Sequence, residues 1–183
     1  FGHGISNRLV AGPSNTGCLS NEDQMGEGWS DFFTLVTTLK PDELGSDRAG
    51  IGTYVSRENT NGNGIRANPY STDISIDDDT YDDVPSFSRN AETGAPPIHA
   101  AGSVWASMLW DMYWDLVDEY GFSDDLINGE LGNNIAVRLV MEGMKMTSCS
   151  PGFVDGRNGI LAADEFLYEG ANSCIIWKAF ARR

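Results

Sequence analysis

Basic residues are scarce in this chain: 12 Lys and Arg stand against 27 Asp and Glu, a formal net charge of −15. Phosphate binding needs clustered cations, so this balance excludes nucleic acid as a partner. By the same repulsion it excludes an anionic membrane surface. The excess acid reads as a solubilising, salt-tolerant surface rather than as a recognition element. No apolar run approaches the ~20 residues that span a bilayer. No signal-peptide pattern opens the chain, as is expected of an internal stretch of a longer precursor, and no repeat is visible. What remains is 183 residues, 40% of them hydrophobic. That is enough for a single domain over residues 1–183 and too little for a second full one.

Cysteine and histidine are also rare, with three and two copies. Cys149 sits just before one helix signal and Cys174 falls in the first turn of another. A bridge between them would close a short loop and contribute ~3 kcal/mol, leaving Cys18 to pair elsewhere or stay free. Three buried, reduced thiols also satisfy the sequence.

Apolar spacing organises what is there. Trp29, Phe32, Phe33, Leu35, Val36 and Leu39 recur at helical period from Gly28, and Pro41 ends the run. A Gly-, Asn- and Asp-rich stretch then extends from Asp42 to Pro97, with a strand-like piece at Gly52–Val55 and an acidic run from Asp77 to Asp83. A loop this long is functional or wraps the surface. From about His99 to Tyr120, Ala101, Val104, Trp105, Met108, Leu109, Met112, Leu116 and Val117 form a broad apolar stripe. Asp111, Asp115, Asp118 and Glu119 cover its other side, and Gly121 breaks the pattern. A further helix is predicted from Leu131 to Met144. Ser150 and Pro151 read as the N-cap and first residue of another, and Asn172 as the cap of a last short one. The fold class is mainly α, a helical bundle with one long irregular acidic insertion.

Two segments carry candidate chemistry. Glu27 and Asp31 lie one helical turn apart, so their carboxylates point the same way. One such acid can bind a metal while the other orients a ligating imidazole; equally, acids in a first turn simply meet the helix dipole. His3, in Phe1-Gly2-His3-Gly4, has the setting of the second His of a helical H-E-x-x-H motif, in which two His one turn apart bind zinc and the Glu between them is the general base. His99 follows Pro96-Pro97-Ile98 at the start of the long helix, where an imidazole can face a cleft or merely begin the helix.

Ordered blocks bear on the choice between these options. His3-Gly4-Ile5-Ser6-Asn7-Arg8-Leu9, Cys18-Leu19, Gly26-Glu27-Gly28-Trp29-Ser30-Asp31-Phe32, Gly64-Ile65-Arg66, Pro69-Tyr70-Ser71-Thr72-Asp73, the run from Ile98 to Leu109, Cys149-Ser150-Pro151, Cys174 and Ile176-Trp177-Lys178 follow one another along nearly the whole chain. Together they resemble the fungalysin family of secreted zinc endopeptidases, distant relatives of thermolysin whose helical C-terminal domain follows the zinc-binding helix. The resemblance implies that His3 and Glu27 are zinc ligands and that Asp31 orients a ligating His. It implies that His99 donates to the tetrahedral intermediate and that Arg66 binds a substrate carbonyl. It also implies a Cys149–Cys174 disulfide, secretion, protein or peptide substrates, and two partners: the N-terminal half of the catalytic region and a propeptide.

The first His and the catalytic Glu of the motif are not in this chain, so no residue here is assigned as general base, and the chain alone is expected to be inactive. The acidic run Asp77–Asp83 and the stretch Ser86–Ala95 look like an insertion relative to the family pattern. Clustered oxygens of this kind can hold Ca²⁺, but the run lacks twelve-residue calcium-loop spacing, and a solvated acidic loop is the reading taken. The alternative to a protease is a non-catalytic, acidic helical domain used for binding or as a calcium-dependent surface module. The two readings part upstream of Phe1: sequencing the parent transcript across that codon is expected to read His-Glu immediately before Phe1, and any other pair would favour the binding module.

Overall fold

The computed structural model describes residues 1–21, 23–87 and 97–183. Seven α-helices order these residues: α1 Gly2–Leu9, α2 Gly26–Thr38, α3 Thr53–Ser56, α4 Ile98–Tyr120, α5 Gly132–Lys145, α6 Phe153–Tyr168 and α7 Ser173–Arg182. A 3₁₀ turn spans Tyr81–Ser86. Among the described residues β-pairing is confined to two isolated bridges, Ala49 with Tyr70 and Ile51 with Gly64. The mainly α class follows, with the irregular segment where composition placed it. The stretch expected as an insertion over 86–95 lies mostly outside the described residues.

α4 is the axis of the bundle. Its residues Ala101 to Trp114 are buried without interruption, because α2, α5, α7 and the 3₁₀ turn all pack on it. Aromatic rings fill the contact with α2: Trp29 meets Trp105 edge-on at 5.5 Å and Phe32 meets Tyr113 at 6.3 Å, while Trp110 stacks on Tyr113 at 5.2 Å. Each fully buried large side chain contributes about 2–3 kcal/mol. α4 ends at Gly121, whose φ of 83° lies in the left-handed region that favours glycine.

The polar side expected for α4 is corrected at Asp111, which is buried. It is tolerated there because Arg183 donates to it from Nε at 2.8 Å and from Nη2 at 3.2 Å. The same guanidinium donates to the carbonyls of Asp77 at 2.5 Å and Ser71 at 2.7 Å. Arg183 thus staples the acidic run to the central helix. A wholly solvated acidic loop is therefore also corrected. Asp78 and Asp82 are exposed, but Asp77 is buried and accepts a hydrogen bond from Ser107 at 2.8 Å.

Three local expectations change for identifiable reasons. Gly52–Val55 is not a strand: Gly52 is left-handed (φ 70°) and starts the single turn of α3. Ser150 is not an N-cap. It is held left-handed (φ 56°) while its N–H donates to the Cys18 carbonyl at 2.9 Å, and α6 starts after Gly152, whose N–H is accepted by Asp155 at 3.0 Å. Asn172 precedes α7 as expected, but its amide donates to Asp164 at 2.7 Å instead of capping the helix.

The disulfide is corrected as well. Cys18 bonds to Cys149 across 131 residues, with Cα atoms 4.7 Å apart, and Cys174 is free and exposed. The segment before α2 lies along the α5–α6 connection, where Ala11 N–H donates to the Thr147 carbonyl and Asn21 to the Pro151 carbonyl. That packing brings Cys149 to Cys18. Closing so long a loop contributes about 5 kcal/mol on the chain-entropy account.

The acidic run gives a pH prediction. Burial, and then the charges of Asp77, Asp78 and Asp83, raise the Asp79 carboxyl from 3.8 to about 6. The folded state therefore keeps a proton that the unfolded chain releases, so ionising Asp79 costs stability. That cost is absent below 3.8 and complete above about 6. Asp79→Asn is expected to stabilise the chain by about 1 kcal/mol at pH 7, the two-unit shift being discounted for partial exposure. The gain should disappear near pH ~4, below the folded-state value. Thermal unfolding of both proteins at the two pH values checks this.

Candidate metal centre

Three helices bring the candidate ligands together by touching backbone to backbone. A Cβ added at Gly2 of α1 would lie 2.5 Å from the Ser30 Cα of α2. One added at Gly28 of α2 would lie 2.3 Å from the Gly102 carbonyl of α4, and one at Gly102 would lie 2.6 Å from the Glu27 Cβ. Only glycine permits such approaches. His3 follows Gly2, Glu27 precedes Gly28, and His99 lies one turn before Gly102, so the two crossings place all three side chains at one mouth.

The atoms converge on Glu27. Its Oε1 lies 3.2 Å from His3 Nε2 and 3.6 Å from His99 Nε2, and its Oε2 accepts from Arg66 Nη2 at 3.0 Å. Arg66 also grips Asp31 in a fork, Nε to Oδ2 at 2.6 Å and Nη2 to Oδ1 at 2.8 Å. The Tyr70 hydroxyl donates to the same Asp31 Oδ2 at 2.5 Å. Exposure falls steeply along this chain of contacts: the side chains of His99 and His3 are 64% and 50% exposed, that of Glu27 19%, those of Arg66 and Asp31 6% and 4%. A recess of about 200 Å³ opens beside the His3 imidazole, lined by His3, Asn7, Leu19, Gln24, Glu27 and Ile98 among others.

Charge balance explains the arrangement. Two carboxylates one turn apart on a helix repel each other, and Arg66 lies between them. Burial alone would lower the Arg66 pKa, but the hydrogen bond and charge of Asp31 outweigh it and hold the guanidinium above its ordinary value. Burial and then the Asp31 charge push the Tyr70 phenol well up, so it stays a donor. Arg66 and Tyr70 both come from the irregular segment, which the paired Ala49–Tyr70 backbone hydrogen bonds of 2.9 and 3.0 Å fix in place.

Among the described residues no group of three or more His, Cys, Asp or Glu converges as a complete metal site, and the pair His3 and Glu27 makes an ion-pair contact whose spacing is compatible with two metal ligands. Two ligands of a tetrahedral zinc, bound at about 2.0–2.2 Å, sit roughly 3.4 Å apart, close to the observed 3.2 Å. Arg66 turns Oε2 inward and leaves Oε1 facing the imidazoles. Asp31 contacts Arg66 and Tyr70, and no hydrogen bond joins it to His3 or His99 among the described residues. Sequence reasoning gave Tyr70 no role and did not foresee that Arg66 bridges the two acids. Neither has a periodic signal; only their place in ordered blocks could have drawn attention.

A family model described as Fungalysin metallopeptidase (M36) matches residues 1–183. An extracellular metalloproteinase of Pyrenophora tritici-repentis is 38% identical over 192 residues, covering 100% of this chain and 28% of that protein. The extracellular metalloproteinase mep of Aspergillus fumigatus is 41% identical over 191 residues, with the same coverage of 100% and 28%. Extracellular metalloproteinase 4 of Trichophyton soudanense is 39% identical over 193 residues, covering 100% and 46%. The chain thus spans less than half the length of these relatives.

The Gly28–Gly102 crossing is testable. Gly102→Ala must push α4 off Glu27 and is expected to cost about 1–3 kcal/mol. Gly17→Ala, whose new methyl would meet nothing within 4 Å, should be near neutral. Denaturant unfolding of the two variants measures the difference.

Proposed function

This chain belongs to the fungalysin metallopeptidases, and from that premise we propose that it is the part of a secreted zinc endopeptidase that supplies two metal ligands and the substrate-facing donors. The observation that carries the reading is the 3.2 Å approach of His3 Nε2 to Glu27 Oε1 at an open mouth. His3 and Glu27 hold zinc with a further ligand from outside this chain, since a catalytic zinc takes three protein ligands. The extracellular names of the relatives and the long-range disulfide both favour an oxidising, extracellular setting.

Zinc, when bound, supplies Lewis-acid activation of a water and of the scissile carbonyl. His99, the most exposed group of the site, donates a hydrogen bond to the oxyanion as it develops; loss of such a donor costs about 10²–10³ in rate. Arg66 has Nε and Nη2 committed to carboxylates, which leaves Nη1 for a substrate carbonyl. Asp31 keeps acceptor capacity on Oδ1 for the ring N–H of a ligating His. The substrates are proteins or peptides laid along the recess beside His3 and Ile98. The N-terminal half of the catalytic region and a propeptide are its partners.

A calcium-dependent module has less behind it. Asp77, the most buried carboxylate of the acidic run, is already committed to Ser107 and Arg183.

In the full-length protein, Glu27→Gln is expected to lower zinc content and abolish measurable peptide hydrolysis, with little change in the thermal midpoint of the metal-free form. The zinc-loaded 183-residue chain alone should hydrolyse nothing. Metal analysis and a casein assay check both, and activity of the isolated chain would contradict the reading.

A further inference from the structure

We propose that Tyr70 is a positioning residue of this metal centre, its phenol fixing the Asp31 carboxylate and, through Arg66, the rotation of Glu27. The inference rests on the reading of Glu27 as a metal ligand. Tyr70 is fully buried and cannot touch substrate, so its effect must pass through other side chains. Its hydroxyl donates to Asp31 Oδ2 at 2.5 Å, one turn beyond Glu27 on α2.

The mechanical consequence follows from the sharing of donors. Asp31 Oδ2 takes the Tyr70 proton and the Arg66 Nε–H together, while Arg66 Nη2 is divided between Asp31 Oδ1 at 2.8 Å and Glu27 Oε2 at 3.0 Å. Without the phenol proton, Asp31 is held by Arg66 alone, and its carboxylate can turn and draw the guanidinium with it. Glu27 Oε2 then loses a fixed partner, and Oε1 its preset approach to His3. A buried phenol does not by itself imply such a role. Tyr113 on α4 is equally buried, yet its hydroxyl has no hydrogen-bond partner among the described residues.

The test uses the full-length protein carrying Tyr70→Phe, with Tyr113→Phe as the matched control, and reads zinc affinity by chelator competition together with kcat and KM at saturating zinc. Tyr70→Phe is expected to weaken zinc binding about 10–100-fold and to lower kcat with KM nearly unchanged, while Tyr113→Phe leaves both within about twofold. The double variant Asp31→Asn/Tyr70→Phe should lose no more zinc affinity than Asp31→Asn alone, because the phenol acts through that carboxylate. This non-additivity reads out the link even where Tyr70→Phe also lowers the melting temperature. Wild-type zinc affinity in Tyr70→Phe, or additive losses in the double variant, would overturn the inference. Glu27→Gln separates the levels. Zinc lost in Glu27→Gln but kept in Tyr70→Phe overturns the Tyr70 link alone, whereas zinc kept in Glu27→Gln overturns the metal-ligand reading and this inference with it.

Discussion

Everything at the candidate centre depends on two helix crossings that are too close for a side chain. Ordinary helix pairs sit 8–10 Å apart, kept there by the side chains between them. At Gly2 on Ser30, and again at Gly28 on Gly102, an added Cβ would fall within 2.3–2.8 Å of neighbouring backbone. Each crossing is adjacent in sequence to a candidate ligand or one turn from a candidate donor. The distances between His3, Glu27 and His99 are therefore set by main chain, which moves little, rather than by long side chains, which move freely. The aromatic core behind the second crossing, Trp29 against Trp105, holds it shut.

Bringing helices together this way creates an electrostatic debt that the irregular segment settles. Glu27 and Asp31 share one face of α2, and the packing that makes the site also buries Asp31. A buried carboxylate persists only if it is paired and its remaining lone pairs are satisfied. Arg66 supplies the charge and Tyr70 the extra donor, and both arrive from a stretch with almost no regular structure. Arg183 repeats the device some way along α4, where it neutralises Asp111 and holds the backbone of Ser71 and Asp77. Two arginines thus tie the irregular segment to the bundle at separate points. This is why a region so rich in Gly, Asn and Asp can hold a side chain to hydrogen-bonding accuracy.

The bundle was largely legible because its helices carry period. α2, α4 and α5 end within a residue or two of where the apolar spacing put them. Legibility failed where tertiary contacts decide. Asp111 sits on a face that spacing marks as polar, and only the arrival of Arg183 from the far end of the chain makes it a buried residue. Ser150 has the chemistry of an N-cap, but the strap to Cys18 puts it in a left-handed turn. The partner of Cys149 depends on which strands of chain pass close to it, which no spacing reveals. At the centre, His3, Glu27, His99 and Arg66 were named from ordered sequence blocks, and they do lie together. The bridging geometry of Arg66 and the presence of Tyr70 were not legible, because a loop's path is fixed by the surfaces it lies on.

The division of labour between the two oxygens of Glu27 narrows the chemistry further. Oε2 is anchored to Arg66 on the buried side, and Oε1 alone faces the imidazoles. A cation held here receives one oxygen from this residue, not two. Calcium gathers six to eight oxygens and often takes carboxylates in bidentate fashion, whereas zinc is content with four ligands and mixes nitrogen with oxygen. A one-oxygen carboxylate beside a half-exposed imidazole would suit such a low coordination number better than calcium's. The same anchoring explains the exposure gradient. Charge compensation is concentrated toward the dry end, where electrostatic contacts are strong, and the more exposed imidazoles of His3 and His99 lie at the wet end, open to solvent.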